Sequence, residues 1–160
     1  MKKLLVMGIG NILLKDEGAG VYCMQELEKQ SWPENVSFLD GGTFTQDIFF
    51  LFEKFDHLLV LDAVRGGQAP GTIYRLEEKD LTVENKQNVS VHDVDLMDSL
   101  RMAELMGSKP EITVLGIEPE VLAWEMGLTK TLEQALPGFV KIAGKEIQNI
   151  LKQFELPDPQ

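Results

Sequence analysis

The chain has 160 residues, 44% hydrophobic and 26% charged, the balance of a globular protein with a core rather than of a disordered one. Lys and Arg number 15 against 26 Asp and Glu, a formal charge of -11; so acidic a chain is repelled by phosphate backbones and is not expected to bind nucleic acid. Cys23 is the only cysteine, which argues against a disulfide framework, a cysteine-built zinc site or an iron–sulfur cluster, and fits a reducing compartment.

Residues 3–8 form the first apolar run. With Lys2 and Lys3 before it, the run has the outline of a signal peptide. Gly8, Gly10 and Asn11 interrupt it, however, and Lys15-Asp16-Glu17 stand where a small-residue cleavage site belongs. The run is also too short to cross a bilayer. A buried strand in a cytoplasmic protein without a membrane segment is expected. Residues 18–29 space Val21, Met24 and Leu27 as one face of a helix. Residues 35–40 and 57–62 read as the second and third buried strands, with a densely apolar helix over 46–55 between them. Residues 71–76 follow the turn signal Ala69-Pro70-Gly71 and read as an edge strand. Residues 94–106 carry Leu96, Met97, Leu100, Ala103 and Met106 and stop at Gly107, a C′ residue; Ser90 and Asp93 form a capping arrangement ahead of them. Residues 111–117 are the last strand. A helical pattern over 131–152 contains Pro137-Gly138, which is expected to break or kink it, leaving 139–151 as the final helix. Residues 157–160 read as a frayed tail.

Strands alternating with helices mean one α/β domain over residues 1–160, with a mostly parallel sheet. Ligands bind such sheets outside the carboxyl ends of the strands, so chemistry is expected just after Gly8, Asp40, Asp62 and Ile117. Gly8-Ile9-Gly10 tests first as a dinucleotide fingerprint, but Leu13 occupies the third glycine position, and no Walker-type Gly-Lys-Ser/Thr follows. There is no Gly-x-Ser-x-Gly elbow and no His-Glu-x-x-His. Cys23, inside the first helix, fits packing better than nucleophilic chemistry.

Three acids remain at the strand ends. Glu17 precedes the first helix, where the helix dipole favours a carboxylate. Asp40 precedes Gly41-Gly42-Thr43, and Asp62 precedes Ala63-Val64-Arg65-Gly66, both ordinary turn chemistry. Each alone has a structural explanation; together they put three carboxylates on one edge. His57 opens a strand and reads as structural, whereas His92 enters the helix between the edge strand and the last strand. Two carboxylates and one imidazole, Glu17, Asp62 and His92, suit a borderline divalent ion such as Ni²⁺, Zn²⁺ or Mn²⁺. Three protein ligands leave positions open for water or substrate.

The ordered set Gly8-Ile9-Gly10-Asn11-Ile12-Leu13-Leu14, Asp16-Glu17, Gly20, Leu39-Asp40-Gly41-Gly42-Thr43, Asp62-Ala63, Pro70-Gly71-Thr72, Ser90-x-His92, Gly116-Ile117-Glu118-Pro119-Glu120 and Gly127-Leu128-Thr129 resembles the nickel–iron hydrogenase maturation endopeptidases across almost the whole chain. The resemblance implies a three-layer α/β/α sandwich with a twisted five-stranded sheet, one strand antiparallel. It implies that Glu17, Asp62 and His92 bind metal and carry catalysis, with Asp40, Gly41 and Gly42 beside them choosing the substrate. The implied task is removal of a short C-terminal peptide from the precursor of a hydrogenase large subunit, by a monomeric enzyme, after nickel insertion. The nickel would arrive in the substrate as the recognition handle, and other divalent ions would also suit the ligands. The family is sometimes grouped with aspartic proteases, which would make Glu17 or Asp62 a general base. Two neighbouring readings keep the same acids: a nickel-sensing checkpoint or metallochaperone that binds the precursor without cutting, and a related peptidase that processes a different precursor.

Overall fold

The structure is a computed structural model that describes residues 1–42, 52–81, 101–107 and 109–158. Strand β1 (Leu4–Ile9) is buried along its whole length, as is β3 (His57–Ala63); β5 (Glu111–Ile117) is buried after its first residue. Continuous burial is what an apolar run without alternation demands, because both faces of a central strand are covered. The flanking strands β2 (Val36–Gly42) and β4 (Ile73–Glu77) are half-exposed, and their sequences are correspondingly more mixed.

The sheet order is β2-β1-β3-β5-β4, with β4 antiparallel to β5 and the other pairings parallel. This is the mixed five-stranded α/β sheet expected. One face carries Leu4, Val6, Leu59, Leu61, Leu115 and Ile117 against helix α1 (Ala19–Glu28) and helix α2 (Lys130–Phe154). The other face carries Leu5, Met7, Leu58, Val60 and Val114, covered by Phe52 and by Ala103 from the helical residues 101–105. Cys23 is fully buried in the first core, and burial pushes its thiol pKa up, so it packs rather than reacts.

One expectation is corrected. Helix α2 does not break at Pro137-Gly138; it runs uninterrupted from Lys130 to Phe154. Pro137 cannot donate to the carbonyl of Glu133, a local cost of about 3 kcal/mol. Both residues lie on the exposed side of the helix, where water reaches the carbonyl. Leu132 on one side of the proline and Phe139, Ala143, Ile147 and Ile150 on the other are all buried against the sheet, and full burial of one such side chain contributes roughly 1.5–3 kcal/mol. The continuous apolar face therefore outweighs the local break. Thr129 caps the helix, its side chain accepting from the Leu132 N–H. At the exposed chain end, Lys2 Nζ meets Asp158 Oδ1 at 2.6 Å.

The expected helix over 46–55 falls largely outside the described residues, as does the start of the helix over 94–106. At the end of the latter, Gly107 adopts φ +82° and its N–H bonds the carbonyl of Glu104, as a helix-terminating residue should. Among the described residues no helix is long and apolar enough to cross a membrane.

Candidate active site

The parallel register gathers the acids on one rim. Gly8 of β1 pairs with Asp40 of β2 on one side and with Leu61 of β3 on the other. Asp40 and Asp62 therefore flank the end of β1 with two strand spacings between them, roughly 10 Å. Asp62 is 1% exposed, and its Oδ1 accepts the N–H of Ala63 at 2.8 Å. Strand alternation puts it on the face of Met7, Val60 and Val114.

Glu17 is half-buried in a single 3-10 turn, Lys15–Gly18, between β1 and α1. Two glycines seat this turn and the start of α1 directly on the strand ends. At Gly10, φ is +134° and a Cβ would stand 1.9 Å from the carbonyl oxygen of Glu17. At Gly20 a Cβ would stand 2.1 Å from the carbonyl oxygen of Leu61 and 2.7 Å from that of Ile9. No side chain fits at either point: the Glu17 carbonyl rests on Gly10 just after β1, and the first turn of α1 rests on the end of β3, where Leu61 leads into Asp62.

Asp40 does not close its strand. Strand β2 continues to Gly42 through a register shift: Gly8 pairs with Asp40 but Ile9 pairs with Gly42, so Gly41 is the extra residue of a bulge. Asp40 is exposed, its Oδ1 accepts the N–H of Gly42 at 2.9 Å, and the Gly42 carbonyl accepts from Gly10 at 2.7 Å. Bulges at such rims re-aim side chains; here the bulge presents the Asp40 carboxylate beside β1.

The structure thus brings Glu17, Asp40 and Asp62 to the same edge. His92, with Ser90 and Asp93, lies outside the described residues. Among the described residues no three His, Cys, Asp or Glu side chains form a metal-holding group. His57 sits at the opposite end of β3. Its Nε2 lies 2.9 Å from Thr113 Oγ1, and burial, opposed by the Glu111 carboxylate, holds its pKa below the ordinary value. It is structural, as expected. The polar cleft beside it, about 350 Å³ and lined by His57, Arg75, Glu77, Lys79 and Glu111 among others, is far from the acidic rim. Its Arg75 and Lys79 already pair with Glu77.

Two further acids organise the rim and had no assigned role in the sequence. Asp16 is fully buried and accepts four hydrogen bonds: from the N–H groups of Glu120, Val121 and Thr129 at 2.9, 3.0 and 2.7 Å, and from Thr129 Oγ1 at 2.9 Å. It ties the loop after β5 to the turn carrying Glu17. Glu118 is buried at the end of β5, and its Oε1 accepts from Tyr74 Oη at 2.6 Å and from the N–H groups of Gly66 and Gln68. It ties down the loop that follows Asp62. Burial alone would raise the Glu118 pKa, but the Tyr74 hydroxyl and the N–H donors of Gly66, Gln68 and Gly67 outweigh it and hold the carboxyl below its ordinary range. The hint for Glu118 is an acid directly after a buried strand; for Asp16, only its place beside Glu17.

The arrangement is one of acids held in fixed places at the carboxyl rim of a parallel sheet, able to ligate a cation or take a proton. Comparison with known proteins identifies its class. The family model for hydrogenase maturation proteases matches residues 21–146. The chain belongs to the hydrogenase maturation protease family. It is 36% identical over 134 residues to the hydrogenase 2 maturation protease of Escherichia coli K12, covering 82% of each chain. It is 31% identical over 151 residues to the hydrogenase expression/formation protein HupD of Rhizobium leguminosarum bv. viciae, covering 92% of this chain and 75% of that one. The solved structure of the hydrogenase maturating endopeptidase HybD from E. coli aligns with a TM-score of 0.83 at 32% identity, over 92% of this chain and 93% of that chain. The protein is accordingly a peptidase, a hydrolase of the hydrogenase maturation class.

Proposed function

We propose that this maturation protease removes a short C-terminal peptide from the precursor of a nickel–iron hydrogenase large subunit, and that it does so only once the precursor carries nickel. The observation that supports the reading is the rim itself: in a chain of this family, the Glu17 turn rests on the end of β1 and the start of α1 rests on the end of β3, so that Glu17, Asp40 and Asp62 come to one edge of the sheet. Glu17, Asp62 and His92 would face the nickel, which belongs to the substrate. The ion supplies Lewis-acid polarisation of a carbonyl or water oxygen. Carboxylate and imidazole donors hold nickel less firmly than thiolates do, which suits an enzyme that returns the metal to a cysteine-built product site. The Ala63 N–H fixes the orientation of the Asp62 carboxylate. Asp40 with Gly41 and Gly42, one strand away, would select among precursors.

The test is intact-mass spectrometry of a large-subunit precursor incubated with the protein, with and without nickel loading. Loss of a C-terminal peptide from the loaded form alone is the expected result. Loss from both forms removes the metal handle. Tight binding to the loaded form without cleavage replaces the peptidase by a checkpoint.

A further inference from the structure

The loop between β5 and α2 carries a row of large apolar side chains in solvent: Val121 and Leu122 at 40% exposure each, Trp124 at 81% and Met126 at 62%. Leu13, at 48%, adds to it from the connection after β1. The loop is not free to fold these side chains away. Leu14 and Glu125 form a parallel bridge, the Glu125 N–H donates to the Leu13 carbonyl, and the Lys15 N–H donates to the Glu125 carbonyl. A parallel bridge sets the preceding residues abreast, so Leu13 and Trp124 lie together. Buried Asp16 holds the loop at Glu120, Val121 and Thr129. A tryptophan so exposed on a loop so firmly tied is the signature of a prepared contact, since exposed apolar patches mark interaction sites and tryptophan dominates binding hot spots.

Position and charge say what it contacts. The patch rides on the two connections that leave the carboxyl ends of β1 and β5, and Leu13 is four residues from Glu17 on the same connection. A protein placed in the candidate active site would lie against it. Glu17, Glu120 and Glu125 border the patch, and Lys15 is paired with Glu125 at 2.9 Å. The whole chain carries a formal charge of -11. We infer that Trp124, with Leu13, Leu122 and Met126, is the docking surface for the folded body of the protein substrate, which meets it with an apolar patch bordered by Lys or Arg. This inference rests on the peptidase reading above and extends it: the scissile segment reaches the acids because a separate surface holds the substrate.

The experiment measures binding and cleavage of the nickel-loaded precursor by the wild type, Trp124→Ser and Met126→Ser. Calorimetry gives Kd, and a concentration series gives kcat and KM. The side chains are exposed, so unchanged thermal transitions are expected. The expected result is a rise in Kd and KM of about tenfold or more for Trp124→Ser, a smaller rise for Met126→Ser, and the same kcat at saturation. Unchanged Kd and KM with normal cleavage overturn the docking surface and leave the peptidase standing. Binding that depends on Trp124 without cleavage keeps the docking surface and removes the peptidase. No binding by the wild type overturns both. Self-association in sedimentation equilibrium that Trp124→Ser abolishes, with precursor Kd unchanged, gives the surface to a second copy and overturns the inference.

Discussion

The two ends of the sheet differ in their acids: among the described residues the buried ones all lie at the carboxyl end. At the amino end, acids meet cationic side chains near the surface: Lys2 with Asp158, Lys109 with Glu78, and Lys79 and Arg75 with Glu77; nearby, Arg75 also reaches Glu146. At the carboxyl end, the buried acids Asp16 and Glu118 are held by backbone N–H groups, a threonine and a tyrosine, and Asp62 accepts from the main chain. Exposed ion pairs contribute about 0–1 kcal/mol and tolerate change. Carboxylates held by several N–H donors stay fixed in place. The first end is a surface, and the second is built to present acids.

The contrast yields graded expectations. Asp62→Asn changes one buried oxygen and little volume; it should lower precursor cleavage about 100-fold or more while the thermal transition survives. A collapse of both would make Asp62 a structural residue. Asp16→Ala leaves the N–H groups of Glu120, Val121 and Thr129 without their acceptor and should cost about 2–4 kcal/mol in urea unfolding, with weaker precursor binding because the Trp124 loop loosens.

Glu118→Gln should cost about 1 kcal/mol at pH 7, and its pH dependence is the sharper readout. The native carboxyl sits below its ordinary value of 4.5. Its contribution is therefore complete above that value and is lost as pH falls through the lower native one. Unfolding measured from pH 7 down to 3 should show a shallower acid limb in the variant. Asp40→Asn keeps an oxygen for the Gly42 N–H and removes only charge, so stability should hold within about 0.5 kcal/mol. Relative cleavage of two different precursors should shift, and an unchanged ratio would deny Asp40 a part in selection.

The smallest effect is expected at the amino end. His57→Gln should leave cleavage at pH 7 unaltered and stability within about 1 kcal/mol. Burial depresses the native His57 pKa below the ordinary 6.5. The unfolded wild type therefore takes up a proton first as pH falls below 6.5, and wild-type stability drops there. The variant should lack that component. Lost activity in His57→Gln would dissolve the distinction between the two ends.

What the sequence made legible follows from how each signal arises. Central strands declare themselves because burial on both faces removes polar residues; Glu111–Ile117 needed no adjustment at either end. Glu17, Asp40 and Asp62 were legible as a rim because a parallel sheet aligns strand ends. The bulge at Gly41 was not, since pairing register leaves no mark on one strand read alone. Pro137 is a poor guide because the local rule for proline yields where a buried face on both sides decides the outcome. Asp16 and Glu17 are adjacent acids, and nothing in their spacing tells which one turns inward to hold a loop and which faces the rim.

The glycine contacts at positions 10 and 20 have a mechanical consequence. Where main chain rests on main chain there is no side chain to compress, rotate or repack. The separations of the Glu17 turn from the end of β1 and of helix α1 from the end of β3 are then hard stops, little affected by substitutions elsewhere in the two cores. An enzyme built this way is a fixed jig. On the function proposed above, the bending needed to bring a scissile bond to the acids would fall to the substrate's own segment.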